Sequence, residues 1–142
     1  GMTGRLDSIQ AVVLDAKLDI FEDELALRQA VADRYHKLIG DIVETPGLAA
    51  GATSSWAQYC IKLPKSSSRD HVINQLGANG VPTAIYYPIP MHQQPPYTDF
   101  PQSQCGLGVT LDLCHRVLAL PIHPYLDEAQ QRHIATVLQD AL

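Results

Sequence analysis

Two histidines of this chain lie in proline-bounded segments that directly follow apolar runs. His92 stands in MHQQPPY and His123 in PIHPYL. Proline fixes φ and restricts the open chain, so such a segment can hold a polar side chain in place without regular structure. Irregular segments positioned by a scaffold often carry binding residues. We therefore predict that both histidines line a binding site. The alternative is that they are solvated histidines in proline-rich surface connections.

The remaining histidines and the cysteines form no recognisable catalytic or metal motif. No two histidines have the i, i+4 spacing of a helical HExxH site, and His36, His71 and His133 lie on predicted polar helix faces. Cys114 and His115 are neighbours, and on a strand their side chains would point to opposite faces, so both are predicted to be structural. GLAAG and GANG lack the spacing of phosphate-binding loops. No catalytic residue and no metal ligand is predicted.

The composition is that of one globular domain with an acidic balance. The chain has 142 residues, 46% of them hydrophobic, and a formal net charge of −5. Its ten basic residues are scattered, which argues against nucleic acid as a partner. No apolar run approaches the roughly 20 residues that span a bilayer, so no membrane partner is predicted. Three cysteines without CxxC spacing favour a reducing cytoplasm. The N-terminus has no signal-peptide pattern and resembles the middle of a protein.

Helical periodicity marks the first forty residues. Apolar residues recur over 6–20 at the spacing of one helix face, which predicts a helix at about 6–18. A second periodic set spans 27–42, so the chain opens with two long helices or with one bent helix. The first helix is also apolar at Val12 and Leu14. It therefore either contacts a surface outside this chain or is buried in the core of this chain.

Three strands are predicted in the remainder of the chain. Period-two alternation indicates one at 56–63, and apolar runs indicate others at 83–87 and 117–120. A short helix follows Ser68, and Asp127 caps the last helix. This order predicts an α/β sandwich whose sheet is covered by helices on one face. Because small sandwiches of this kind also bind metabolites, a non-catalytic regulatory or interaction module is the alternative to an enzyme.

Three sequence blocks, GMTGRLDSIQAVVL, AIYYPIPMHQQPPY and RVLALPIHPYL, occur in this order. Together they resemble the C-terminal part of the DegT/DnrJ/EryC1/StrS family, pyridoxal-phosphate-dependent aminotransferases that aminate nucleotide-linked keto-sugars. The resemblance implies a homodimeric fold-type-I aminotransferase with glutamate as amino donor. Residues 1–20 would be the helix that leaves an absent large domain, and residues 21–142 the small C-terminal α/β domain. The blocks are most similar to enzymes that aminate UDP-linked 3-keto sugars for lipopolysaccharide O-antigen.

The resemblance also implies roles for individual residues. Thr3 stands where the family has an Asn that reaches the cofactor phosphate of the neighbouring subunit, and its hydroxyl offers one donor where an amide offers two. Arg5 matches an Arg that meets the sugar-nucleotide diphosphate, which suits its planar fork of donors. His92 matches a histidine that faces the nucleotide-sugar, and Tyr97 closes the same block. The implied roles are cofactor binding for Thr3 and substrate binding for Arg5, His92 and Tyr97.

The lysine that forms the internal aldimine in this family has no counterpart in the sequence. The four lysines are Lys17, Lys37, Lys62 and Lys65, and none occupies the family's lysine motif. A pyridoxal-phosphate enzyme must supply this lysine and a carboxylate for the pyridine nitrogen. The resemblance therefore implies that this chain alone neither binds the cofactor tightly nor transaminates. An upstream large domain in the reading frame would favour the aminotransferase, and a native start at Met2 the regulatory module.

Overall fold

The computed structural model describes residues 4–142, which form five α-helices and a two-stranded antiparallel sheet. The helices are α1 (Ser8–Leu18), α2 (Phe21–Ile39), α3 (Arg69–Ala78), α4 (Gly108–Arg116) and α5 (Glu128–Ala141). Strand β1 (Tyr59–Lys62) pairs with β2 (Val117–Leu120), with Tyr59 opposite Leu120. The predicted α/β class is confirmed. Within the described range, no helix combines the length and the apolar character needed to cross a membrane.

The hydrophobic core lies between the sheet and helices α2, α3 and α5. Helix α5 buries Ile134, Val137, Leu138 and Ala141, the inward face predicted from their spacing. On β1 the buried residues alternate with half-buried ones, as period two requires. The largest fully buried apolar side chains are Tyr35, Tyr59, Ile39, Ile61, Leu63, Leu76, Leu118, Leu138, Val31 and Val72. This core is contributed by residues from 31 onward.

Side-chain caps start three of the helices. Asp7 and Asp127 each form a capping box with a glutamine three residues later, and Ser68 accepts a hydrogen bond from the backbone N–H of His71. The Ser68 and Asp127 caps confirm the predicted helix starts. Gly77 lies inside α3. The helix ends at Ala78, and the chain turns at Gly80 with a φ of +75°.

The strand predicted at 83–87 is not formed. Ala84 alone bridges β2, through hydrogen bonds of 3.3 and 2.8 Å with Ala119. In this register the next bonded pair on one side would be Pro82 with Pro121, and neither proline has an N–H to donate. On the other side it would be Tyr86 with Val117, and no backbone hydrogen bond joins these two residues. The predicted strand is therefore reduced to one bridge. β2 accordingly lies between β1 on one edge and Ala84 on the other.

The stretch after Pro88 is more ordered than the sequence prediction of an irregular loop. It contains two short 3-10 turns, Met91–Gln93 and Pro95–Tyr97, followed by α4. Cys114 and His115 therefore lie on a helix, which corrects the assumption that they are strand neighbours. Cys114 is buried, while His115 is exposed with Nδ1 2.6 Å from the carbonyl oxygen of Leu111. The two do not form a nucleophile and base pair.

Helix α1 lies on the outside of the fold. It is separated from α2 by two residues, so the chain opens with two helices. None of its residues is buried by the described part of the chain. Five large apolar side chains of α1, namely Ile9, Val12, Val13, Leu14 and Leu18, are between 53% and 76% exposed. The alternative that α1 is buried in the core of this chain is therefore wrong, and contact with a surface outside it stays a prediction.

Candidate functional site

The residues implied to bind substrate lie in two parts of the described structure. Arg5 is exposed just before the Asp7 cap of α1, whereas His92 and Tyr97 lie in the two successive 3-10 turns. Thr3 falls outside the described residues. No hydrogen bond or ion pair within residues 4–142 joins Arg5 to His92 or Tyr97. The structure thus places His92 and Tyr97 in one segment and shows no bonded contact between them and Arg5.

The segment that carries His92 is held by a few internal contacts. The Gln94 amide donates a hydrogen bond to the carbonyl oxygen of Ile89 over 3.3 Å. The ring centroid of Tyr97 lies 6.1 Å from that of Phe100, within the range of aromatic pairs. His92 itself is half-buried, while Met91 and Phe100 are more than half exposed. The segment therefore orients an imidazole on a surface that is rich in exposed apolar groups.

A shallow groove of about 260 Å³ lies where the segment that follows α3 meets the end of β2. Its polar lining comes from Gln58, Thr83 and Tyr86, and Pro82 and Pro121 form part of its wall. Pro82 and Pro121 end the pairing between the segment after α3 and β2. The two segments therefore separate at this point and leave the groove open. Gln58, Thr83 and Tyr86 belong to no sequence motif that would mark them as site residues. The signal that could have found the groove is the pair of prolines at matching positions.

His123 lines a second groove of about 370 Å³, together with His133 of α5. Both histidines are exposed, and His133 Nε2 lies 3.1 Å from the carbonyl oxygen of Asn79. Val81, Leu126 and Ile134 make most of the remaining wall apolar. The prediction that His92 and His123 line a binding site stays a prediction, and His92 does not line this groove. Residues 4–142 contain no cluster of three or more His, Cys, Asp or Glu side chains that could hold a metal ion.

None of the four lysines has the surroundings of a Schiff-base lysine. Lys17 lies 3.6 Å from Glu24, and Lys62 forms an ion pair with Glu44. Lys37 and Lys65 are exposed. A reactive lysine needs a desolvated site or a neighbouring cation that lowers its pKa, whereas a carboxylate partner favours the charged ammonium. Among the described residues, no lysine therefore has surroundings that favour aldimine formation, and the absence of tight cofactor binding stays a prediction.

Comparison with known proteins places almost the whole chain in one family. Residues 1–139 match the DegT/DnrJ/EryC1/StrS aminotransferase family. The chain is 40% identical over 139 residues to the UDP-2-acetamido-2-deoxy-3-oxo-D-glucuronate aminotransferase of Pseudomonas aeruginosa, covering 97% of this chain and 37% of that protein. It is 38% identical to the UDP-N-acetyl-3-dehydro-alpha-D-glucosamine 3-aminotransferase of Acidithiobacillus ferrooxidans, covering 100% of this chain and 37% of that protein.

A solved structure agrees with these sequence relatives. The fold superposes on a DegT DnrJ EryC1 StrS aminotransferase from Brucella abortus with a TM-score of 0.90 and 45% sequence identity. That match covers 96% of this chain and 36% of the Brucella chain. The chain thus spans a little over a third of the length of the proteins it matches. On the family match and on both levels of similarity, the chain belongs to the DegT/DnrJ/EryC1/StrS aminotransferase family.

Proposed function

We propose that this chain is the C-terminal part of an aminotransferase that transfers an amino group from glutamate to a UDP-linked keto-sugar for lipopolysaccharide O-antigen synthesis. The complete protein is a cytoplasmic homodimer that uses pyridoxal phosphate. The observation that carries the proposal is the 40% identity to a UDP-sugar aminotransferase over 97% of the chain. A match of this extent and level supports a shared substrate class more strongly than fold alone does.

The proposed division of the chain is a linking helix at residues 1–20 and a small domain at residues 21–142. The exposed apolar side chains of α1 support it, because contiguous apolar surface on a folded chain commonly marks an interaction site. The large domain of the complete protein is the proposed occupant of that surface. The self-contained core from residue 31 onward supports the small domain as a folding unit.

Each implied site residue is chemically suited to its proposed role. The Arg5 guanidinium has no ion pair among residues 4–142, so its planar fork is available for diphosphate oxygens. His92 is half-buried and can donate a hydrogen bond to a sugar hydroxyl or a phosphate. The Tyr97 ring packs near Phe100 and offers an apolar face with a hydroxyl at its tip. Thr3 is proposed to donate one hydrogen bond to the cofactor phosphate.

Pyridoxal phosphate supplies the electron sink for amino-group transfer when it is bound. The lysines of this chain do not fit the aldimine role, so we assign that lysine to the part of the protein outside this chain. It follows that the isolated chain is inactive. Its contribution to the complete enzyme is to bind and orient the nucleotide-sugar through Arg5, His92 and Tyr97.

The substrate assignment is tested on the full-length protein by titration with UDP-N-acetylglucosamine in a calorimeter. Arg5→Ala and His92→Ala should each weaken binding by about tenfold, since each removes one hydrogen-bonding or charged contact to the ligand. Arg132→Ala and His71→Ala are matched controls, because both residues are exposed on helices and have no proposed role. Unchanged affinity in both site variants would remove the assignment. Binding of UDP-N-acetylglucosamine without glutamate-dependent amination of the corresponding UDP-linked 3-keto sugar would favour the non-catalytic module.

The inactivity of the isolated chain is tested by titration with pyridoxal phosphate. We expect no aldimine absorbance band and no turnover of glutamate. A band that disappears when a single lysine is changed to alanine, together with turnover, would contradict the proposal. That outcome would leave the family assignment intact, because the assignment depends on sequence and fold.

A further inference from the structure

The stretch of chain between Pro90 and Cys114 is anchored at its two ends. Pro90 and Cys114 are buried, whereas no residue at 91–113 is buried. The hydrogen bonds of this stretch within the described range reach no farther along the chain than residues 89 and 117. The two turns that carry His92 and Tyr97 lie in it. The placement of both side chains therefore depends on how the two ends are held.

The first end is held by the sheet and by the core. Ala84 exchanges two backbone hydrogen bonds with Ala119 of β2, and Ile85 packs against the hydrophobic core. Pro90 is buried a few residues later. The chain is thus fixed where it enters the stretch.

The second end is the C-terminal end of α4, where Cys114 is the one buried residue of the helix. The last four carbonyl oxygens of a helix have no partner within it. Here the Cys114 oxygen accepts from Arg69 Nη1 over 2.5 Å, and the same nitrogen lies 3.5 Å from the Val117 oxygen. The Arg116 oxygen accepts from the Leu63 N–H over 3.0 Å, and Arg116 Nε donates to the Leu63 oxygen over 2.8 Å. The end of α4 is therefore tied to α3 by Arg69 and to the end of β1 by Leu63.

The charge of Arg69 stabilises the end of α4 and not the start of α3. Arg69 is the first residue of α3, where the helix dipole disfavours a cation. Its guanidinium lies against the last carbonyl oxygens of α4, where the dipole favours a cation. Its Nε is buried without a hydrogen-bond partner among residues 4–142, which carries a desolvation cost. The favourable electrostatic contacts of Arg69 thus lie with α4.

We propose that Arg69 is a positioning residue for nucleotide-sugar binding, because its guanidinium fixes the end of α4 and thereby the stretch that carries His92 and Tyr97. The proposal rests on the proposed function, in which these two side chains contact the nucleotide-sugar. A segment that is ordered before binding loses less conformational entropy when the ligand arrives. Without Arg69 the stretch samples more arrangements, and the apparent affinity falls with the fraction that is competent to bind. Arg69 acts through α4 and not by contact with the substrate.

The positioning contact is tested by hydrogen exchange of this chain, which needs no substrate. Arg69→Met keeps an unbranched stem and removes the donors, so amide exchange at 91–113 should become about tenfold faster. Arg28→Met is the matched control, because Arg28 Nη1 also donates to a backbone carbonyl oxygen, that of Trp56, over 3.0 Å. This control should leave exchange at 91–113 unchanged. Unchanged exchange there in Arg69→Met, or an equal increase in both variants, would overturn the proposal.

Circular dichroism of each variant establishes that it is folded. If Arg69→Met does not fold, Arg69→Lys takes its place, since lysine keeps the charge and loses the planar fork of donors. Faster exchange at 91–113 in Arg69→Lys would support the proposal, and unchanged exchange would overturn it.

The effect on binding is tested on the full-length protein by titration with UDP-N-acetylglucosamine. Arg69→Met should weaken binding by about three- to tenfold, and Arg28→Met should not change it. The rate of the glutamate half-reaction, followed by cofactor absorbance, should be unchanged in Arg69→Met, because this half-reaction does not use the nucleotide-sugar. Unchanged affinity, or an equal loss of affinity and of this rate, would overturn the proposal. If the unaltered protein binds no UDP-N-acetylglucosamine, the proposed substrate is wrong, and hydrogen exchange still decides whether Arg69 fixes the stretch.

Discussion

Helices α1 and α5 begin in the same way and yet have opposite places in the molecule. Each starts with an aspartate that forms a capping box with a glutamine three residues later. Each also carries a stripe of apolar residues. Helix α5 buries six residues, including Ile134 and Leu138, whereas α1 buries none within the described structure. The comparison shows that local signals specify a helix, while tertiary contact decides what the helix contributes to stability.

The energetic difference between the two helices follows from burial. A large apolar side chain gains about 1.5–3 kcal/mol when it is fully buried, and α5 has several such side chains. The five large apolar residues of α1 remain more than half exposed and gain little of this. An isolated helix of 11 residues is marginal in water. Helix α1 therefore depends on its cap, on its junction with α2, and on whatever surface covers it in a longer protein.

The largest effect is expected from truncating a leucine in each helix. Leu138→Ala should lower the free energy of unfolding by about 2–5 kcal/mol, because it leaves a cavity at a fully buried position. Leu14→Ala should change it by less than about 0.5 kcal/mol, since Leu14 is 53% exposed. Urea unfolding of the chain measures both. Equal losses in the free energy of unfolding would show that α1 packs as tightly as α5 and would contradict the difference between the two helices.

The buried glutamine of α5 should have the next largest effect. Gln131 is fully buried, accepts a hydrogen bond from Arg34 and donates one to the carbonyl oxygen of Val31. Gln131→Leu keeps the volume but leaves Arg34 without this acceptor, which should cost about 1–3 kcal/mol. Gln139→Leu, at an exposed position of the same helix, is the control and should cost less than about 0.5 kcal/mol. Urea unfolding measures both variants, and similar values for the two would contradict a structural role for Gln131.

The two matching caps should differ in their effect on global stability. Asp127→Ala should lower the free energy of unfolding by about 1 kcal/mol, because the cap of α5 is coupled to the core. Asp7→Ala removes the same capping box from α1 and should speed amide exchange there without moving the unfolding midpoint. Urea unfolding and hydrogen exchange measure the two outcomes. If Asp7→Ala lowered the free energy of unfolding as much as Asp127→Ala does, α1 would unfold together with the core.

The smallest effect is expected at a contact near the junction of α1 and α2. The Tyr125 hydroxyl donates to Glu24 Oε1 over 2.8 Å, and together with the weaker influence of Lys17 this holds the pKa of Glu24 below its usual value. A carboxyl with a lowered pKa stabilises the fold above its unfolded-state pKa and loses that contribution as the pH falls. Tyr125→Phe should therefore raise the pKa of Glu24, as followed by carboxyl NMR. An unchanged pKa would show that Tyr125 does not contact Glu24 in solution.

Elements with strong local signals were predictable, and elements set by pairing geometry were not. The stretch 117–120 was predicted as a strand and is β2, and the caps at Ser68 and Asp127 were found from residue type. The stretch 83–87 looks like a strand by composition, but it forms only the Ala84 bridge; Pro82 and Pro121 block pairing on one side of this bridge, and Tyr86 does not pair with Val117 on the other. Helix α4 was missed because it begins with Gly108, Val109 and Thr110, which are weak helix formers.

The candidate site was predictable only as a set of residues. The sequence blocks that contain Arg5, His92 and Tyr97 identified the family, because a family resemblance depends on which residues occur and in which order. The structure does not join Arg5 to the segment of His92 within the described residues, so the proposed site depends on contacts that these residues do not make among themselves.

The sequence by itself determined the α/β class, most helix positions and the family. These depend on periodicity, capping residues and residue identity, all of which are local properties of the chain. The tertiary structure alone decided that α1 is exposed while α5 is buried, and that the stretch 83–87 forms a single bridge. Burial and pocket formation depend on which distant surfaces meet, and a local pattern does not specify its partner.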